Sequence, residues 1–152
     1  MKVFDNLEKY SSNLAVNTED GIRLSYNDFL IDADCIGKKL NKRSLIFIIT
    51  GNNSKCVTGY VGALRANAVV ALINDSIRKS FFNDLILKFK PSYIYQPQKM
   101  FSFEKNWKLR FKIDEYVLYE TNIEIDYNIN DDLSMLLMTS GSTGNPEFVR
   151  LS

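Results

Sequence analysis

Residues Leu45–Asn74 read LIFIITGNNSKCVTGYVGALRANAVVALIN, and this stretch decides the fold. Five consecutive apolar residues from Leu45 predict a strand that is buried on both faces. The polar turn at 51–54 offers a helix N-cap, and apolar residues then follow at the spacing of one helix face: Val57, Tyr60, Val61 and Leu64. A second apolar run at 68–73 predicts the next strand. Strand, helix and strand in this order predict a parallel pair joined by a right-handed crossover.

The downstream sequence extends the same pattern. Apolar residues at helical spacing over 77–89 predict a helix that stops before Pro91, and 92–95 read as a short strand. Further strands are predicted at Val117–Tyr119 and Leu133–Met138. The alternation of strands and helices predicts an α/β fold, a mainly parallel sheet with helices on both faces.

The upstream sequence predicts a hairpin and one more helix. Asp20-Gly21, between two short apolar runs, is a hairpin-turn signal. Ser25 followed by Asp28 resembles a capping box, and apolar residues at spacings of three and four then continue to Leu40.

The composition excludes several classes of site. The chain has 152 residues, a net charge of +1, no histidine and two cysteines. Without imidazole, these residues cannot form a Ser-His-Asp or Cys-His nucleophile or a His-ligated metal site, and we assign no metal ligand. The near-neutral charge argues against nucleic-acid and membrane partners, and no apolar run reaches the roughly 18 residues of a membrane-spanning helix. Free thiols and the lack of an apolar signal region lead us to expect a cytoplasmic protein.

A cluster of small residues follows the last predicted strand. It contains four hydroxyl-bearing residues and two glycines, namely Thr139, Ser140, Gly141, Ser142, Thr143 and Gly144. Glycine lets the backbone approach a ligand closely, and hydroxyl and backbone N–H groups together form a concavity suited to phosphate oxygens. The spacing fits neither the Walker phosphate loop nor the dinucleotide-binding glycine motif. From these residues alone, an exposed Ser/Gly turn remains the alternative.

The full string from Thr139 to Pro146 resembles the phosphate-loop signature of the adenylate-forming superfamily. That superfamily includes acyl-CoA synthetases, nonribosomal peptide adenylation domains and firefly-type luciferases, and its pattern reads T-S-G-[ST]-T-G-x-P-K-G-V. The first eight positions of the pattern fit this sequence. Weaker likenesses at Leu24–Leu40 and Gly62–Asn74 follow the order of the family, so the resemblance extends over nearly the whole chain.

The resemblance implies an activity. In such enzymes a carboxylate attacks the α-phosphate of ATP to form an acyl-adenylate and pyrophosphate. A thiol or amine acceptor, such as CoA or a carrier protein, then takes the acyl group. By this resemblance the loop closes over the β- and γ-phosphates, and ATP with Mg²⁺ is the expected cofactor set. The loop would act by positioning and electrostatic stabilisation, which require no histidine.

Four positions depart from the family pattern. Glu147 and Phe148 replace the lysine and the glycine that follow the family's proline, and Asn67 and Leu72 replace a glycine and a proline. A carboxylate about 8 Å from one phosphate charge costs roughly 2 kcal/mol at an effective dielectric constant of about 20. Solvent and Mg²⁺ screen part of this cost. We therefore expect a divergent member that binds ATP more weakly than the family does.

The resemblance also predicts the extent of the domain. Residues 1–152 correspond to the N-terminal fragment of an AMP-binding domain that ends just after the phosphate loop. In the family the adenine pocket, the acyl pocket and the catalytic lysine lie beyond this point, so we assign no catalytic residue and expect no adenylation by the chain alone. A sheet cut within a domain would favour self-association. The alternative is a short non-catalytic domain that keeps the fold and acts by binding a ligand or a protein.

Three further features have a structural interpretation. Basic and aromatic residues are interleaved over 99–112, which would suit a single-stranded nucleic acid, but the alternation at 108–112 more simply indicates a half-buried edge strand with protective lysines. Cys35 and Cys56 lie beside apolar helical stripes and are interpreted as core residues. The acidic stretch 126–132 lacks the spacing of a calcium loop, so we assign it no cation.

Overall fold

The computed structural model describes residues 4–19, 21–101, 106–139 and 147–151. A 3-10 turn, Leu7–Tyr10, precedes the regular elements. The strands are β1 (Leu14–Asn17), β2 (Arg23–Ser25), β3 (Leu45–Thr50), β4 (Val69–Asn74), β5 (Tyr93–Pro97), β6 (Lys108–Ile113), β7 (Tyr116–Glu120), β8 (Met135–Thr139) and β9 (Glu147–Leu151). The helices are α1 (Tyr26–Gly37), α2 (Ser54–Arg65) and α3 (Lys79–Phe89). Within the described ranges, no helix is long and apolar enough to cross a membrane.

One mixed sheet organises the described part of the chain. Its seven strands lie in the order β6-β7-β5-β3-β4-β8-β9. The neighbours β5, β3, β4 and β8 are parallel, and β6, β7 and β9 join through antiparallel pairings. The α/β fold predicted from the sequence is confirmed, with antiparallel strands added on both sides of the parallel centre.

Helices cover the two faces of the parallel centre. On one face, α2 contributes Cys56, Ala63 and Leu64 to a core with alternate residues of the central strands, such as Ile46 and Val70. On the other face, α3 contributes Phe82, Leu85 and Ile86 to a core with the intervening strand residues. Each central strand is therefore apolar on both faces, which explains its continuous apolar run.

A second helical layer lies outside α2. α1 packs on α2 at a point where a Cβ on Gly62 would lie 2.3 Å from the carbonyl oxygen of Ala33. Only glycine permits this approach of the two backbones. α1 ends at Gly37, earlier than the predicted Leu40, which is buried in the turn that follows.

Local signals at the element ends agree with the sequence predictions. Gly21 has a φ of 87° in the turn between β1 and β2. The Ser25 hydroxyl caps α1 by accepting a hydrogen bond from the Asp28 N–H at 3.2 Å, as in the predicted capping box. The Asp28 carboxylate accepts from the Ser25 hydroxyl at 2.7 Å, in place of the backbone N–H that completes a standard box. Asn53 caps α2 by accepting from the Cys56 N–H at 2.9 Å.

Two departures from the family pattern have a structural reason. Asn67, in place of a glycine, has a φ of 57° immediately after α2. The N–H groups of Asn67 and Ala68 donate to the carbonyls of Leu64 and Ala63, each at 3.0 Å. This is a Schellman C-cap, and asparagine is the residue that most often replaces glycine in its left-handed position. Leu72, in place of a proline, packs half-buried against the core on the α2 side.

β6 lies at an edge of the sheet, as the sequence predicts for its alternating basic and apolar residues. The strict alternation is interrupted because the register with β7 shifts between Leu109 and Phe111. Leu109 is consequently 53% exposed, whereas Phe111 packs against the core on the α2 side. A bulge of this kind twists an edge strand and discourages further pairing.

Candidate functional site at the carboxyl edge of the sheet

The predicted phosphate loop connects β8 to β9. Thr139 is the last residue of β8, Glu147 is the first residue of β9, and the two are partners in the antiparallel register. The backbone of Thr139 therefore lies at the base of the loop. The other predicted ligands, Ser140, Gly141, Ser142, Thr143 and Gly144, lie outside the described residues. Their role in binding phosphate stays a prediction.

The base of the loop lies at the carboxyl edge of the parallel strands. Thr50 at the end of β3 is the register partner of Asn74 at the end of β4. Leu72 pairs with Leu137, and Asn74 and Thr139 each follow two residues later, so they lie level across β4 and β8. Ligands of open α/β sheets bind in crevices at this edge. The loop therefore begins where the fold favours a ligand.

The turn after β4 lies next to the end of β8, because the two strands are neighbours, and hydrogen bonds fix its conformation. The side-chain oxygen of Asn74 accepts from the Ser76 N–H at 2.8 Å and from the Ser76 hydroxyl at 2.6 Å. The Thr50 hydroxyl donates to the carbonyl of Ile73 at 3.2 Å. Asparagine followed two residues later by serine is an Asx-turn signal, so the sequence itself contains the information for this turn.

Phe148 packs the beginning of β9 against the core of the sheet. Its ring packs edge-to-face on Phe89 of α3, with ring centroids 4.8 Å apart, and lies 6.5 Å from the ring of Phe47 in β3. The glycine of the family pattern could make neither contact. At position 148 this chain therefore has a packed aromatic ring where the family pattern has a flexible glycine.

A buried tyrosine and cysteine stabilise the end of β3. The Tyr116 hydroxyl donates to the carbonyl of Ile49 at 3.1 Å and is 3.4 Å from the side-chain nitrogen of Asn53. Burial raises the pKa of Tyr116 to about 12 and also raises the pKa of the Cys56 thiol. Both groups stay protonated at neutral pH and are buried, which agrees with the core position predicted for Cys56 from the sequence. Cys35 is a half-buried free thiol.

The acidic stretch after β7 contributes an ion pair. The Lys90 ammonium lies 2.6 Å from the Asp126 carboxylate, and this pairing lowers the pKa of Asp126. In the part of the chain that the structure describes, no group of three or more Cys, Asp or Glu side chains could hold a metal ion.

These features define an open α/β domain with a candidate anion-binding loop at the carboxyl edge of its sheet. Three solved structures are similar to it over almost its whole length. MatB from Rhodopseudomonas palustris has a TM-score of 0.68 and 17% identity, and the match covers 98% of this chain and 33% of that one. The luciferase-like enzyme of the mealworm Zophobas morio has a TM-score of 0.70 and 12% identity, covering 98% and 41%. The O-succinylbenzoate CoA synthetase MenE from Bacillus subtilis has a TM-score of 0.66 and 14% identity, covering 94% and 39%.

The three similar proteins belong to the adenylate-forming superfamily. The chain has the fold of the N-terminal part of these enzymes, and the resemblance seen in the sequence is confirmed at the level of the fold. It spans about two fifths of the length of the MenE structure. No family model and no curated protein sequence matches it.

Proposed function

We propose that this chain forms the phosphate-binding, N-terminal part of an enzyme that activates a carboxylic acid with ATP. One observation carries the proposal: the signature string that starts at Thr139 leaves the carboxyl end of β8, in a sheet with the fold of adenylate-forming enzymes. In this reaction a carboxylate oxygen attacks the α-phosphorus and pyrophosphate leaves. A thiol or amine then displaces AMP from the acyl-adenylate.

The loop would hold the leaving pyrophosphate group. Hydroxyl and backbone N–H groups of residues 139–144 would donate to the β- and γ-phosphate oxygens, and the paired strands β8 and β9 would limit the movement of the loop ends. In nucleotide sites Mg²⁺ is bound by phosphates, water and one or two carboxylates, and we assign none of these carboxylates to this chain.

Ligands in the similar structures support a nucleotide at this site. MenE structures hold AMP and the acyl-adenylate intermediate OSB-AMP, and a structure of the N-terminal subdomain of NpsA from Klebsiella oxytoca holds 3-hydroxybenzoyl-AMSN. By analogy we propose a carboxylic acid substrate, with CoA or a carrier protein as the acceptor. A cytoplasmic location and self-association of the chain stay predictions.

A non-catalytic binding domain is the second candidate. The substitutions at the end of the loop favour a binding domain. Glu147 replaces the attractive positive charge of a lysine, and Phe148 packs on Phe89 where the family has a glycine. Such a domain would keep the fold and bind a nucleotide or a protein without activating an acid.

Both candidate functions can include binding of a nucleotide. Calorimetric titration of the chain with MgATP tests this binding step. We expect saturable binding that weakens at least about tenfold in the double variant Ser142→Ala/Thr143→Ala, because two hydrogen bonds to a charged group are lost. The exposed Ser12→Ala is the matched control and should leave the affinity unchanged. Absence of MgATP binding by the unaltered chain would contradict the phosphate-binding role.

Isotope exchange between pyrophosphate and ATP separates the two candidates. A longer product that contains these residues should show exchange that depends on an added carboxylic acid. Retained MgATP binding without exchange across a broad acid panel, even with Glu147→Lys, would support the binding domain instead.

A further inference from the structure

A cavity lies at the opposite edge of the sheet from the base of the loop. It has a volume of about 640 Å³ and opens at the amino ends of β3, β4 and β8. Its apolar floor is formed by Leu45, Val69 and Leu136, which are at most 8% exposed. Phe89, in the last turn of α3, and the segment 127–133 form its walls. The cavity is therefore large, apolar inside and separate from the candidate phosphate site.

Two cations line this cavity. Lys88 and Arg150 both contribute to its wall, and neither forms an ion pair with another described residue. The Lys88 ammonium lies 5.3 Å from the centroid of the Phe89 ring, over the apolar wall. Asp132 is the acidic residue in the lining, so the positive charges outnumber the negative one. Unpaired cations beside a desolvated apolar surface favour an anion with an apolar body.

We propose that this cavity binds a small organic anion, with its apolar body on the floor and its carboxylate or sulfonate between Lys88 and Arg150. A bare inorganic ion would leave the apolar floor exposed to water, whereas an uncharged apolar molecule would leave both cations without a partner. Asp132 opposes these two positive charges, but all three side chains are exposed and screened alike by solvent, so the lining keeps a net charge of +1 that favours an anion.

The position of the cavity connects it to the strands that hold the loop. Leu136 is in β8, three residues before the base of the loop at Thr139. Arg150 is in β9, three residues after the loop ends at Glu147. A bound anion thus contacts both strands of the hairpin that carries the loop, and it stabilises their pairing from the edge remote from the phosphate site.

Calorimetric titration with sodium decanoate below its micellar concentration tests this proposal. We expect one saturable site whose affinity falls at least about tenfold in Lys88→Gln/Arg150→Gln, because both charged partners of the carboxylate are removed. All these positions are exposed, so the variants should fold. Lys108→Gln/Lys112→Gln, an equal change of charge at two exposed positions of the edge strand β6, is the matched control and should alter the affinity less than about twofold.

Decyltrimethylammonium, with the same chain length and the opposite charge, separates charge recognition from plain hydrophobic binding. We expect it to bind at least about tenfold more weakly than decanoate. The proposal is overturned if decanoate shows no saturable binding, if Lys88→Gln/Arg150→Gln behaves like Lys108→Gln/Lys112→Gln, or if the two amphiphiles bind equally well.

Discussion

Replacing Phe148 with the glycine of the family pattern should destabilise this protein. The ring packs 4.8 Å from Phe89 and 6.5 Å from Phe47, measured between centroids, and the side chain is half-buried. Truncation of a fully buried phenylalanine costs about 3–5 kcal/mol, so half burial suggests about 2 kcal/mol. Glycine inside a strand adds about 0.5–1 kcal/mol. We expect Phe148→Gly to lower the free energy of unfolding by about 3 kcal/mol.

Urea unfolding followed by far-ultraviolet circular dichroism measures this change. Phe148→Leu should retain most of the stability, because leucine keeps an apolar side chain in the same contact. Val149→Ala is the matched control, since Val149 is 47% exposed in the same strand, and it should cost less than about 1 kcal/mol. Equal midpoints for Phe148→Gly and the unaltered chain, or an equal loss in Val149→Ala, would refute the anchoring role.

Three further predictions follow from the packing. Gly62→Ala should lower the free energy of unfolding by about 2 kcal/mol. Its new Cβ would lie 2.3 Å from the Ala33 carbonyl oxygen, and the overpacking cost of about 3 kcal/mol exceeds the roughly 1 kcal/mol gained in helix propensity. Asn67→Ala should cost about 1 kcal/mol, whereas Asn67→Gly should be neutral or stabilising, since the φ of 57° disfavours a Cβ. Stability should fall most steeply above about pH 10, because burial raises the pKa values of Tyr95 and Tyr116; the unfolded chain then releases protons that the folded chain keeps.

Each of these predictions has a direct measurement. Urea midpoints compare Gly62→Ala with Val57→Ala, an exposed position in the same helix where alanine should not destabilise. A stability of Asn67→Gly below that of Asn67→Ala would contradict the left-handed cap. For the pH dependence, urea unfolding between pH 7 and pH 12 should show constant stability up to about pH 8, where the Cys56 thiol begins to ionise in the unfolded chain, and a steeper decline near pH 10 that Tyr116→Phe makes shallower. Unchanged stability throughout this range would contradict burial of the two phenols.

Periodicity predicted the elements that the fold places around the loop. The continuous apolar runs at β3 and β4 correspond to strands that are buried on both faces. This is because α2 covers one face of the sheet and α3 covers the other. Local chemistry set several boundaries. Ser25 and Asp28 begin α1 through their reciprocal hydrogen bonds, and α3 ends two residues before Pro91.

Long-range pairing could not be predicted in the same way. The hairpin partner of β8 follows the small-residue loop, where Phe148 departs from the family pattern, and only its contacts with Phe47 and Phe89 show why an aromatic residue is there. The exposure of Leu109 depends on a one-residue register shift against β7, which an alternating pattern does not contain. The cavity between Lys88 and Arg150 joins residues far apart in the sequence, so only the fold brings these charges together.

The central claim, that the loop after β8 binds the phosphates of ATP, is tested most directly by nuclear magnetic resonance. Backbone amide signals of Gly141 and Gly144 should shift saturably when MgATP is added to the ¹⁵N-labelled chain, since their N–H groups are the proposed phosphate donors. MgAMP, which lacks the β- and γ-phosphates, should shift them much less. Unchanged glycine signals at saturating MgATP, or equal shifts with MgAMP, would contradict the account.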